Sequence, residues 1–181
     1  MKGTRLINLL IFCYFIGFRN NGSAQHQFVS IRDSIPKSQK EAILILPGFG
    51  SKVYGVKKIA AHFKKSEYDL FIPKYISRKS LEKSVETLDH FILKHGLKAY
   101  KKIHVLAYIF GSWTINSWVN KYGACNISTI IYDRSPLQER APAALIEDSP
   151  ILSKILFGNA MKDFCETPYI SLNDSSIYKG I

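Results

Sequence analysis

The chain has 181 residues, of which 46% are apolar, 13% aromatic and 22% charged. That is long enough to bury roughly 70% of the surface of the unfolded chain, and too apolar for a disordered tail, a collagen-like fibre or a charged low-complexity segment. Lysine and arginine number 25 against 14 aspartates and glutamates, so the formal net charge is +11, which favours anionic partners or surfaces without naming one.

The first 24 residues read as a targeting segment. Lys2 and Arg5 make a basic start, Leu6 to Phe18 is a largely apolar run, and Gly22-Ser23-Ala24 places small residues where a signal would be cleaved. Thirteen residues are short for a membrane-crossing helix, which needs about 20, so cleavage after Ala24 is the expectation and anchoring through 6–18 the alternative. The expected organisation is a signal at 1–24 and one domain over 25–181, in a secreted or periplasmic protein. Cleavage would remove three of the 25 basic residues and no acid, so the remainder stays basic. Export would make nucleic acid an unsuitable partner and an anionic envelope surface a suitable one. It would also leave Cys125 and Cys165 in an oxidising compartment. They are a candidate disulfide that would contribute about 3 to 4 kcal/mol, with two free thiols as the alternative.

Beyond the segment, strands and helices alternate. Ala42 to Leu46 is a continuous apolar run ended by Pro47-Gly48-Phe49-Gly50, as suits a strand buried on both faces. Val56, Ile59, Ala60 and Phe63 then recur at helical spacing, with Lys57, Lys58, Lys64 and Lys65 on the other face. Tyr68 to Pro73 reads as a second strand, and Ser80 as the cap of a helix carrying Leu81, Val85, Leu88 and Ile92 that stops at His95-Gly96. Ile103 to Ala107 is a third strand, followed by a helix with Ile115, Trp118, Val119 and Tyr122 inward and Gly123 at its end. Ser128 to Tyr132 is a fourth strand, a Pro- and Ala-containing stretch suggests further helices, and Tyr169 to Leu172 is a candidate fifth strand. This order predicts an α/β fold: a doubly wound, mostly parallel sheet with helices on both faces.

In such sheets ligands sit beyond the carboxyl ends of the strands. There the sequence has Leu46-Pro47-Gly48-Phe49-Gly50 and, some sixty residues on, His104-Val105-Leu106-Ala107-Tyr108-Ile109-Phe110-Gly111. The pair resembles the α/β-hydrolase fold family of esterases and lipases. The first segment is similar to the turn that donates an oxyanion-hole amide, and the second to the nucleophile elbow. An elbow needs small residues two before and two after its centre, because a tight strand-to-helix turn presses those positions against neighbouring backbone. Ala107 and Gly111 meet that need.

At the centre stands Ile109, where the family carries a nucleophile. Isoleucine has nothing with which to attack a carbonyl, and its branched Cβ resists a left-handed turn, so the elbow is expected to relax. Ser112 is the substitute nucleophile to test, although three residues on it belongs to the first helical turn. The resemblance makes Phe49 and Phe110 the oxyanion amides, and it gives Asp174, with Asp133 one strand earlier, as candidate acid positions; either could be an ordinary loop aspartate. All five histidines, His26, His62, His90, His95 and His104, precede the elbow, whereas the family's catalytic histidine follows it. His62, His90 and His95 are expected to face solvent and His104 to be a satisfied core residue.

The fold is thus expected to be α/β-hydrolase-like, truncated at the C-terminus, with a free sheet edge that invites a homodimer. Functionally, the expectation is a catalytically degenerate relative that binds an acyl, ester or lipid-like ligand. An ester hydrolase working through Ser112 and a basic envelope-binding module are the alternatives. No cofactor is implied, and no cluster of histidine, cysteine and acid has metal-ligand spacing.

Overall fold

The computed structural model describes residues 27–32, 35–49, 53–63, 66–133, 146–172 and 177–180. The expectations placed on the targeting segment, His26, Lys64, Lys65 and Asp174 lie outside them.

Six strands form one sheet: β1 (Phe28–Ser30), β2 (Glu41–Leu46), β3 (Asp69–Ile72), β4 (Lys102–Tyr108), β5 (Ile127–Asp133) and β6 (Tyr178–Gly180). Their spatial order is β1-β3-β2-β4-β5-β6. Every pairing is parallel except β1 with β3. Residues of β2 are buried on both faces, and this explains why it reads as an unbroken apolar run rather than an alternating one.

Among the described residues, the main helices that connect and cover the strands are α1 (Val53–His62), α2 (Leu81–Lys94), α3 (Phe110–Tyr122), α4 (Pro150–Phe157) and α5 (Ala160–Glu166). Helix α1 lies on one face, where Val56, Ile59, Ala60 and Phe63 pack on Ile43, Ile45, Leu70 and Ile72. The other face carries the larger core, in which Leu44, Leu46, Val105, Ala107 and Ile130 meet Leu88 and Ile92 of α2, Ile115 and Trp118 of α3, and Phe164 of α5. Ser80 caps α2 by accepting a hydrogen bond from the Lys83 N–H at 3.0 Å. Asp163 of α5 accepts another from the Leu81 N–H at 3.2 Å, which pins the late helices to the start of α2. Gly96 ends that helix in the left-handed region, at φ 59°. No helix among the described residues is long and apolar enough to cross a membrane.

The sheet is anchored at the amino ends of its strands by a buried ion pair. Lys40 Nζ lies 2.9 Å from Asp69 Oδ2, with 4% and 0% of their side-chain surfaces exposed. A pair so deeply buried survives only if its remaining polar atoms are met. Here they are: Tyr100 OH donates to the same oxygen at 2.6 Å, the Arg32 N–H donates to Oδ1 at 2.9 Å, and Lys40 also donates to the Arg32 carbonyl. Burial alone would raise the Asp69 carboxyl, but the hydrogen bonds from Tyr100, the Arg32 N–H and Lys40 outweigh it and hold the group below its ordinary value of 3.8.

Three expectations need correction. Tyr169 to Leu172 is not a strand; β6, which starts nine residues after Tyr169, takes that place beside β5. The carbonyl of Ile170 is instead bonded by Asn116 Nδ2 at 2.8 Å, so a side chain from α3 occupies an acceptor that a ladder would have used. Cys125 and Cys165 are free and exposed, so the candidate disulfide is not formed, and Cys165 lies within α5. His95 does not face solvent: its ring is half-buried against Phe91 at 4.4 Å and Phe71 at 5.9 Å.

Because the Asp69 carboxyl is lowered, its stabilisation is full above the unfolded value and fades as pH falls through the folded one. In urea unfolding at neutral pH, Lys40→Met should cost about 3 to 5 kcal/mol, since it leaves a carboxylate buried without its cation. Asp69→Asn should unfold with a shallower loss of stability below pH 4 than the parent.

Candidate functional site

The carboxyl ends of β2 and β4 lie side by side, with Leu46 in register with Ala107. Strand β4 stops at Tyr108 and α3 starts at Phe110, so Ile109 alone makes the turn, at φ 17° and ψ −85°. The elbow therefore stays one residue long and has not opened as a branched side chain led us to expect. Its ties are the Ile109 N–H to the Asp133 carbonyl at 3.4 Å and the Ser112 N–H to the Ile109 carbonyl at 3.1 Å. The Ile109 side chain is half-buried and packs on the larger core.

The small residues of the motif have a visible cause. A Cβ added at Gly111 would stand 2.5 Å from the Leu46 carbonyl oxygen and 2.8 Å from the Leu46 Cβ, so only glycine lets α3 close on β2. Ala107 is fully buried. Beneath the turn, Tyr75 is inaccessible to solvent and donates to the Pro47 carbonyl at 2.7 Å. That bond ties the Pro47-Gly48-Phe49 turn to the segment following β3. Burial pushes the Tyr75 phenol well above its usual value, so it remains a donor at any moderate pH.

Both expected oxyanion residues lie at this end. Phe110 is the first residue of α3, where the backbone N–H has no acceptor within its own helix and the helix dipole is positive. The Phe49 ring lies 4.5 Å from that of Phe110 and 5.3 Å from that of Phe157, so aromatic side chains from β2's turn, α3 and α4 gather over the elbow. The surroundings are apolar, which would strengthen any hydrogen bond to a bound carbonyl.

Other candidates fall as follows. Ser112 is the third residue of α3, fully buried, with its hydroxyl 3.4 Å from the Ala107 carbonyl. Asp133 ends β5 in register with Tyr108, which brings it next to the elbow. His62 and His90 are exposed. His104 is not a core residue: it is half-buried in the amino-terminal half of β4, with Nε2 3.0 Å from Glu41 Oε2. The hydrogen bond from His104 holds the Glu41 carboxyl below its usual range. Among the described residues, no three histidine, cysteine or acidic side chains come together as a metal site would require.

One part of the site was not foreseen. Tyr132 OH donates to Asn116 Oδ1 at 2.8 Å, and Asn116 Nδ2 donates to Tyr169 OH at 3.0 Å, linking β5, α3 and the segment after α5 behind the elbow. Burial raises both phenols, so the network is uncharged. An asparagine on the inward face of α3 was the only signal for it in the sequence.

With this geometry in place, the fold can be compared with solved structures. It is similar to an α/β-hydrolase enzyme from the metagenome of sediments from the lagoon of Mar Chica, Morocco, at 16% identity and a TM-score of 0.51, covering 76% of this chain and 66% of that one. It is also similar to an esterase from Exiguobacterium antarcticum, at 12% identity and a TM-score of 0.49, covering 71% and 54%. The chain therefore spans about two thirds and about half the length of those proteins. No family model and no curated protein matches the sequence. The chain has the α/β-hydrolase fold.

Two glycines separate the constraint at the elbow from glycine content in general. Gly111→Ala should destabilise the protein by about 3 kcal/mol in urea unfolding, because the clash is with backbone that cannot step aside. Gly55→Ala in α1, where an added Cβ meets nothing within 4 Å, should instead stabilise it by about 0.5 to 1 kcal/mol.

Proposed function

We propose that this is an exported α/β-hydrolase-fold protein that has lost serine-hydrolase chemistry and binds an acyl or ester-like ligand beside its elbow. The observation that carries the reading is Ile109 as the one residue of the turn between β4 and α3. A reacting side chain at that position is the first requirement of acyl transfer on this fold, and isoleucine offers neither a lone pair nor a proton. The histidines of the sequence all precede the turn, so the general base in the fold's usual chain order has no representative among them.

What is retained supports binding rather than turnover. Backbone donors act whatever side chain they carry, so the Phe49 and Phe110 amides can still meet a carbonyl oxygen. Half-buried Phe49 and Phe157, packed with buried Phe110, supply apolar surface for the rest of an acyl group. Export rests on the basic start, apolar run and small residues of the first 24 positions.

Intact-protein mass after treatment with a fluorophosphonate tests this reading without assuming a substrate. We expect no adduct on folded protein, and no difference between the parent and Ser112→Ala. A stoichiometric adduct that disappears in Ser112→Ala would replace the proposal with an ester hydrolase using that serine.

A further inference from the structure

Helix α4 turns its polar residue inward and its apolar ones outward. The residue it buries is Ser153, whereas Ile151 and Ile155, one turn apart on the opposite side, are 76% and 60% exposed. They are the most exposed large aliphatic side chains among the described residues. A helix that only covered the core would present its isoleucines to it, since apolar surface left in water forgoes about 25 cal/mol for each Å².

The rotation of α4 is fixed by its neighbours. Gly158 ends the helix in the left-handed region at φ 67°, where an added Cβ would stand 2.3 Å from the Arg78 carbonyl oxygen. That carbonyl accepts from the Ala160 N–H at 3.3 Å, and the Arg78 guanidinium donates to the Ile155 carbonyl. Phe157 packs on Phe49 from the side away from the isoleucines. The apolar ridge is thus held outward by contacts on the rest of the helix.

Charge indicates what would cover the ridge. Lys154 is exposed on the same side, between the two isoleucines, and exposed Arg78 and Lys79 stand at the carboxyl end of α4. The acids Glu147 and Asp148 precede the helix, at its other end. A second copy laid face to face on this ridge would set Lys154 against Lys154, which is unfavourable. A negatively charged lipid surface would instead meet these cations while the isoleucines entered the apolar layer beneath the headgroups. Eight residues are far too few to cross a bilayer, so such a helix lies along it.

From this outward apolar ridge and the cations beside it, we infer that α4 docks the protein on an anionic phospholipid bilayer, with Ile151 and Ile155 among the upper acyl chains and Lys154, Arg78 and Lys79 at the phosphates. The surface is separate from the elbow's backbone donors and stands whether or not the proposed function holds.

A reporter on the ridge provides the test: Ile155→Trp in the full chain, mixed with vesicles of phosphatidylglycerol and phosphatidylcholine whose acyl chains carry bromine. Trp113 and Trp118 are buried, and the parent supplies their background emission. We expect the added tryptophan to shift to the blue and to lose about half its emission or more, with no change on phosphatidylcholine alone. In the reporter protein, Ile151→Ser and Lys154→Glu should each weaken vesicle binding about fivefold or more. The pair Lys57→Gln and Lys58→Gln, on α1 at the other face of the sheet, should change it less than about twofold. An unquenched reporter on vesicles that still carry the protein would place the membrane contact elsewhere in the chain, as in the apolar run at 6–18, and would overturn the assignment. Absence of vesicle binding, binding unchanged in both ridge variants, or a loss in the α1 pair as large as in Lys154→Glu would overturn it too. Sedimentation velocity addresses the rival occupant: a parent dimer that dissociates in Ile151→Ser would assign the ridge to a second copy and likewise overturn it.

Discussion

The structure turns on one close approach. Gly111 at the start of α3 lies against the backbone of Leu46 at the end of β2, a distance that no Cβ could share. That contact makes a one-residue turn after β4 possible and sets where Phe110 begins its helix. It also places the Pro47-Gly48-Phe49 turn against α3, where Tyr75 holds the Pro47 carbonyl from below. These are backbone constraints, and none of them involves the side chain at position 109. The frame of this turn therefore does not depend on the side chain at its centre, an isoleucine half-buried against the core.

At the opposite end of the strands the same sheet is held differently. Lys40 and Asp69 form an ion pair almost without solvent, and its strength lies in completeness, because Tyr100 and both backbone groups of Arg32 meet the remaining demands. The apolar core between the two ends supplies most of the burial, while the polar network fixes where β1 and its following residues lie. Removing one member would leave a charge in a low-dielectric interior, so the network is retained or lost as a unit. The two ends of the sheet are thus held by different means, one by a close approach of backbone at Gly111 and the other by a complete polar network.

Much of this fold was legible because burial writes itself into periodicity. The unbroken run of β2, the spacing of Val56, Ile59, Ala60 and Phe63, and the cap at Ser80 each follow from local rules, and each stands where the sequence placed it. What could not be read depended on partners distant in sequence. Strand β1 is three residues long and exists through pairing with β3; β6 is equally short and mostly exposed. Tyr169 to Leu172 has the composition of a strand, yet Asn116 claims its backbone. His95 has the setting of a helix-end residue in solvent, but Phe71 and Phe91 enclose it. Lys40 and Asp69 are ordinary surface residues by type, and nothing local marks them as a buried pair. At the elbow the two glycine turns were visible because each is a short contiguous pattern, even though the contact that demands Gly111 is with distant Leu46, whereas the tyrosine and asparagine network behind them joins three separate segments.

We propose that this turn keeps the geometry of an elbow without serine-hydrolase chemistry. Initial rates of p-nitrophenyl butyrate hydrolysis by Ile109→Ser, compared with the parent and with buffer, test it most directly. On this proposal the restored hydroxyl should raise the rate by less than about threefold, since a serine with no base beside it would gain little over oxyanion donors alone. A pre-steady-state burst of nitrophenolate, or a rate orders of magnitude above the parent, would show that a working base stands beside the turn and would overturn the proposal.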